Sequence, residues 1–472
     1  MEDIAFEEFV YVRPKPGLLL NFSRRVPSLA NQACQNLQKM FRRRMGKALN
    51  TRDVVELTCA VVLVAVTADI LCTLCPRKRK TPMERRDFLS TSNRSHCLGN
   101  VIASFMVQIT WPTSILEAVS NAELYGIAGS KFVPANSALI HTIFVLLLLE
   151  FRTKAPGAQT IAQFVGHRFG LVAHILTIII SLLTSLYTLT VNITKGSMVL
   201  NAVTMNVGEG AIVSLVLLQV GALLIVAQRR SYSLILCAIL TSILLICATV
   251  IFTVLNLPNS SALGNMGSLY KLLMCYNRTG HGLEDALASG FDAAILSDGL
   301  ISLVLRVLLD QALWETAIKL PPNHGVLGLL LATIMAFCVP ATLSIACGLG
   351  FRALESAFRN AALLNETNRA QGLVVFAAPI HLLGKSGIRI IFTVVLLLLV
   401  TSCMFSIVGA SSILYHDVLV AYIRPFKKQV DKATCILCGK QRGHLASRRN
   451  ACRCRSMLEC SVCDNDTWYD GM

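Results

Sequence analysis

Apolar runs long enough to cross a bilayer recur along this chain, and they constrain it more than any other feature. A helix needs roughly 20 apolar residues to span the hydrocarbon core. The first run, VVELTCAVVLVAVTADILCTLC, occupies 54–75. Others fall at about 98–124, 132–151, 169–194, 209–228, 231–255, 291–314, 324–349 and 388–416. About nine transmembrane helices are therefore expected, in an all-α polytopic membrane protein. The runs are continuous rather than alternating, which argues against a barrel. Charged residues are 15% of the 472, and the mean hydropathy is +0.61. A soluble domain carries about 25% charged residues.

Three regions follow. Residues 1–53 form a basic tail containing FRRRMGK, with no apolar h-region, so the first span must act as the signal. Residues 54–425 form the transmembrane domain, and 426–472 a cysteine-rich tail. The net charge of +16 does not imply nucleic acid, because the basic residues sit in short loops. The most basic loop, PRKRKTPMERRDFLSTSNR, is expected in the cytosol. Alternation then puts 152–168, 228–230, 319–324 and everything after 417 inside. Three sequons, at Asn259, Asn277 and Asn365, fall in loops on the other side, which suggests a glycoprotein. Nine spans with a cytosolic C-terminus place the basic N-terminal tail outside, against the charge rule.

Two spans carry polar residues at membrane depth, where they are tolerated only against protein or a watery cavity. The second is interrupted by Pro112, Glu117, Ser120, Asn121 and Glu123, and reads as a broken helix. The seventh contains Arg306 and Asp310, four residues apart, a spacing at which the two could pair on a helix. Mid-membrane acids are functional by default. His141 and His174 read as packing or interface residues and receive no role. No Walker motif, HExxH or glycine-rich nucleotide loop is present, so neither ATP-driven transport nor membrane proteolysis is supported, and no enzyme is expected.

Four stretches together resemble the sodium:solute symporter family, in particular its urea active transporter branch. They are TWPTSILEAVSNAELYGIAGSKFVPANSALI, KAPGAQTIAQFVGHRFGLVAHI, DQALWETAIKLPPNHGVLGLLLATIMAFCVPATLSIACGLGFRALE, and GLVVFAAPIHLLGKSGIR with TSCMFSIVGASSILYHDVLVAYIRP. The DQ-x-x-W-x-x-AI and SSIL-x-x-D-x-x-x-x-YI patterns are the most specific parts. The resemblance implies a core of two inverted five-helix repeats after one extra N-terminal helix, with substrate bound near the midplane at broken helices. It assigns substrate contact to Asp310, Gln311 and Trp314, facing Ser120 and Glu123. It also implies a cation site from the Thr401 and Ser402 hydroxyls and the carbonyls of Leu398, Leu116 and Val119, oxygen ligands suited to sodium.

The chain departs from that pattern in three ways. Relatives carry a Thr-Asp pair on the fifth core helix, whereas no Asp or Glu occurs here between Glu209 and Glu284. Arg306 is unusual for the motif; it could pair with Asp310 or bind an anionic substrate group. The matched region stops after the eighth core helix, leaving the second repeat incomplete. Thr401 and Ser402 could alternatively bond only their own helix backbone.

The tail carries Cys435-x2-Cys438, Cys452-x-Cys454 and Cys460-x2-Cys463. Two Cys-x2-Cys knuckles fit a tetrahedral zinc site from Cys435, Cys438, Cys460 and Cys463, with His444, Cys452 and Cys454 as spare ligands. Palmitoylation or an unstructured reduced tail are the other readings. The expected function is a secondary active transporter importing a small polar solute, urea or a related amide or amine, by sodium or proton coupling at the plasma membrane. The alternative is a non-transporting homologue that regulates or assembles with a full-length transporter, or with its own copies.

Overall fold

The computed structural model describes residues 49, 51–74, 98–154, 158–204, 208–229, 232–256, 266–274, 303–319, 322–357, 369 and 372–423. These residues form an all-α polytopic membrane protein. The helices are α1 (Thr51–Leu74), α2 (Leu98–Ile109), α3 (Pro112–Lys154), α4 (Ile161–Phe169), α5 (Leu171–Val203), α6 (Glu209–Arg229) and α7 (Tyr232–Val250). Then follow α8 (Met266–Met274), α9 (303–309), α10 (Gln311–Lys319), α11 (Pro322–Ser344), α12 (Gly350–Ala357), α13 (Val374–Leu383) and α14 (Lys385–Ile413). Three π-helical segments extend them: Ile251–Asn256, Ile345–Leu349 and Leu414–Ile423. The three sequons and all six cysteines of the C-terminal tail lie outside the described residues.

Among the described residues, five stretches are long and apolar enough to cross a membrane: Pro112–Phe151, Leu171–Val203, Leu234–Val254, Gly325–Ser356 and Lys385–Ile423. Shorter apolar helices cover Leu98–Ile109, Glu209–Ile225 and Val374–Leu383. α14 is the central post. Its run from Ile391 to Phe405 is buried almost without interruption, and it packs on α5, α7, α10 and α13. A helix apolar on every side belongs where every side meets protein.

α5 has the opposite design. Its outer face exposes Val172, Ile175, Leu176, Ile179, Leu183 and Leu186, while its inner face buries His174, Ser181, Ser185, Thr188 and Asn192. Apolar side chains outside and polar ones inside suit a helix whose solvent is lipid.

Breaks in the helices fix the rest. Pro112 has no N–H to give the Gln108 carbonyl, so the expected broken span parts at Thr110–Trp111, between α2 and α3. Inside α3, Gly126 adopts φ 68°, a left-handed conformation, and the chain changes direction there. α4 and α5 meet at a one-residue corner, Gly170, with φ 89°. The fourth break falls at Asp310, between α9 and α10.

Candidate functional site: the cavity between two broken helices

The breaks at Thr110–Trp111 and at Asp310 come together. Gln108 Nε2 donates to Thr316 Oγ1 at 3.1 Å, and the Arg306 guanidinium stacks on the Trp111 ring at 3.8 Å. Around them lies a small open cavity lined by Gln108, Trp111, His141, Arg306, Asp310, Ser402 and Ser406 among others. Ligand sites combine apolar walls with a few placed polar groups.

Asp310 is the N-cap of α10. Its Oδ1 accepts the Ala312 N–H at 3.1 Å and the Ser185 hydroxyl at 3.0 Å. The amide belongs to a helix N-terminus, whose free N–H the capping oxygen satisfies. Oδ2 has no hydrogen-bond partner among the described residues.

Of the two roles open to Arg306, an ion pair with Asp310 is not formed among the described residues. Because α9 ends at residue 309, Asp310 leaves the helical ladder that would set it one turn from Arg306. Arg306 Nε instead donates to Thr188 Oγ1 at 3.2 Å, and Nη2 to Asn192 Oδ1 at 3.2 Å. Ser185, Thr188 and Asn192, spaced three and four apart on α5, thus hold the acid and the base separately.

The other expected substrate residues lie elsewhere. Gln311 is buried and fixes the α4 entry: its Nε2 donates to the Gln159 carbonyl at 3.3 Å, and its Oε1 accepts from Ile161 N–H at 3.5 Å. Trp314 Nε1 donates to the Leu308 carbonyl at 2.9 Å, reaching back across the break, and its ring packs on Phe144 and Phe151. Ser120 is half-buried and lines no part of the cavity. Glu123 is ion-paired to Arg369, which also holds Glu355, while Arg352 donates to the Glu123 carbonyl. This buried charge cluster joins the last turn before Gly126 to α12, away from Asp310.

Of the expected cation site, the Leu398 carbonyl accepts the Thr401 hydroxyl at 3.3 Å. Thr401 donates to the Leu397 carbonyl at 2.6 Å, and Ser402 to the Leu399 carbonyl at 3.1 Å, within their own helix. Leu116 and Val119 lie in regular helix beyond the Pro112 break, and a Cβ at Gly348 would meet the Val119 carbonyl at 2.8 Å. Among the described residues, no group of three or more His, Cys, Asp or Glu side chains is placed to hold a metal ion.

The residues missed in the sequence are Gln108, Ser185, Thr188, Asn192 and Ser406. Ser185, Thr188 and Asn192 did carry a signal, a polar stripe at helical spacing inside an apolar run.

No protein-family model matches the chain. It is 26% identical over 361 residues to "Urea-proton symporter DUR3" of Oryza sativa subsp. japonica, covering 72% of this chain and 49% of that protein. It is 24% identical over 362 residues to "Urea active transporter" of Saccharomyces cerevisiae, covering 75% of this chain and 49% of that protein. The chain spans about half the length of the curated relatives it matches. These relatives bear out the resemblance to the urea active transporter branch, and they are transporters rather than enzymes.

Proposed function

We propose, with that kinship as premise, that the chain carries urea or a closely related amide across a membrane, coupled to protons. The carrying observation is the cavity at the two helix breaks. Urea offers two amino groups that donate and one carbonyl that accepts. In the cavity wall, Asp310 Oδ2 is an acceptor without a protein partner among the described residues, and Arg306 keeps guanidinium donors beyond the two it spends on α5. One carboxylate for the amino groups and one guanidinium for the carbonyl is a complementary pair. Arg306 thereby takes a substrate role that the sequence pattern left open. Trp111, already under the guanidinium, supplies a flat wall for a planar solute.

Coupling by protons is favoured over sodium. The name of the rice relative is that of a proton symporter. Alternating access follows if the broken halves α2–α3 and α9–α10 rock about the cavity. The plasma membrane is the proposed location, with the stretch after 417 in the cytosol.

Labelled urea uptake, measured with surface abundance at varied external pH and sodium, tests this. Uptake that rises with acidification, does not need sodium and falls at least about tenfold in Asp310→Ala supports it, since a hydrogen bond to a charged group is worth that much. No uptake at normal surface abundance rejects it in favour of a non-transporting partner of a full-length relative.

A further inference from the structure

A second polar site lies at the other end of the α5 stripe, and nothing above uses it. Asp417, in the π-helical segment, is fully buried. Its Oδ1 accepts the Thr160 hydroxyl at 2.8 Å and faces His174 Nε2 at 3.3 Å. His174 is likewise buried, and its Nδ1 lies 2.6 Å from the Tyr422 hydroxyl. Asp417 Oδ2 has no partner among the described residues.

The local winding builds this site. Five residues along an α-helix turn about 140° past a full revolution, so Asp417 and Tyr422 would diverge. A π-helix closes i to i+5, which brings them to one face, toward His174. Gly166 lets α4 approach: a Cβ there would stand 2.7 Å from the His174 Cβ.

Along α5 the stripe then runs His174, Ser181, Ser185, Thr188 and Asn192, from this site to the cavity. Thr177, Thr184, Thr190 and Thr194 on the same helix turn their hydroxyls back to carbonyls four residues earlier. Ser181, fully buried, makes no such bond and has no protein partner among the described residues. A buried hydroxyl in that position takes its partner from water. Between it and His174 stand the buried Ile178, with Ala162 and Ile413, a small apolar plug.

We propose that His174 and Asp417 form the proton-binding site of the carrier. This rests on the transport reading above. With one proton the pair is neutral; without it a net negative charge is buried, which is costly unless it is compensated. On the side from which the solute departs, hydronium gives up one O–H proton, leaving water, and an O–H bond forms at Asp417. Release breaks that bond and returns the proton to water on the opposite side. The titratable and charged groups on the surrounding elements are Tyr415, His416 and Tyr422 on the π-helical segment, and His167 and Arg168 in the last turn of α4. Glu315 on α10 completes the set; it receives the Ser412 hydroxyl at 2.5 Å.

The experiment compares the full chain with Asp417→Asn and Tyr422→Phe in vesicles. One assay measures accumulation of labelled urea under an imposed pH gradient. The other measures exchange of labelled for unlabelled urea at equal pH on both sides, which needs no net proton movement. Asp417→Asn should lose gradient-driven accumulation about tenfold or more while keeping exchange, because an intramembrane carboxylate in a proton relay serves coupling rather than solute binding. Tyr422→Phe should keep exchange and shift the pH at which accumulation is half-maximal. Unchanged accumulation in both variants overturns the proposal, and so does parallel loss of exchange and accumulation at normal abundance. If the unmutated chain moves no urea in either assay, the transport reading fails and this inference falls with it.

Discussion

At Asp310 the two carboxylate oxygens have different duties. Oδ1 caps α10 through Ala312 and takes the Ser185 hydroxyl, while Oδ2 faces no protein donor among the described residues. Asparagine keeps one carbonyl oxygen for the cap, and caps of the two residues are close to equal. Asp310→Asn should therefore leave the protein folded and at normal surface abundance. It replaces the second oxygen by a donor, which repels the amino groups of a urea-like solute. Uptake is expected to fall about tenfold or more, the worth of a charged hydrogen bond. Uptake and abundance measured together check this, and near-normal transport would mean that the acid is only a cap. Arg306 shows the same division, with two donors spent on α5 and the rest of its guanidinium stacked over Trp111.

Among the elements, α14 and α10 are held closest at the cavity. A Cβ on Gly409 would stand 2.5 Å from the Ala312 nitrogen, the same amide that Asp310 caps. Gly409→Val would wedge the two helices apart; overpacking of this kind costs about 1–3 kcal/mol. The expected result is a lower thermal midpoint in detergent and loss of uptake, with Gly409→Ala intermediate. A Gly409→Val protein with unchanged midpoint and uptake would show that the contact can relax. Not every break was equally visible in the sequence. Pro112 announces its own, because a missing N–H is a property of one residue. Asp310 announces an acid at membrane depth but not the break, since neither Pro nor Gly marks it. The i, i+4 pairing with Arg306 was read on an unbroken helix and fails for that reason. Trp314 was legible as a motif residue, yet its partner is the Leu308 carbonyl exposed by that same break. His174 looked like packing because Asp417 lies 243 residues away and reaches it only through the π-helical turn. Long-range pairs and local winding leave no trace in periodicity, whereas spans and prolines do.

For the whole molecule, the exposed apolar faces of α5, α6 and α11 imply a bilayer around it, and the long helices then fix sidedness. Gly325–Ser356 has 32 residues. At 1.5 Å per residue that is about 48 Å, against a hydrocarbon core about 30 Å thick. Its two ends must emerge on opposite sides. The basic end near Lys319 is expected inside, so Asn365, beyond the other end, is expected outside. Leu234–Val254 likewise carries the chain from Arg229–Arg230 to the side bearing Asn259 and Asn277. All three sequons should then be accessible to the glycosylation machinery. Glycosidase treatment should shift the mobility of the full chain, the shift should shrink with each Asn→Gln replacement, and the triple replacement should abolish it. A sequon engineered at 320–321 should stay unmodified. Modification at that inserted site together with Asn365 would contradict the span assigned to α11, and with it the cytosolic placement of the stretch after 417.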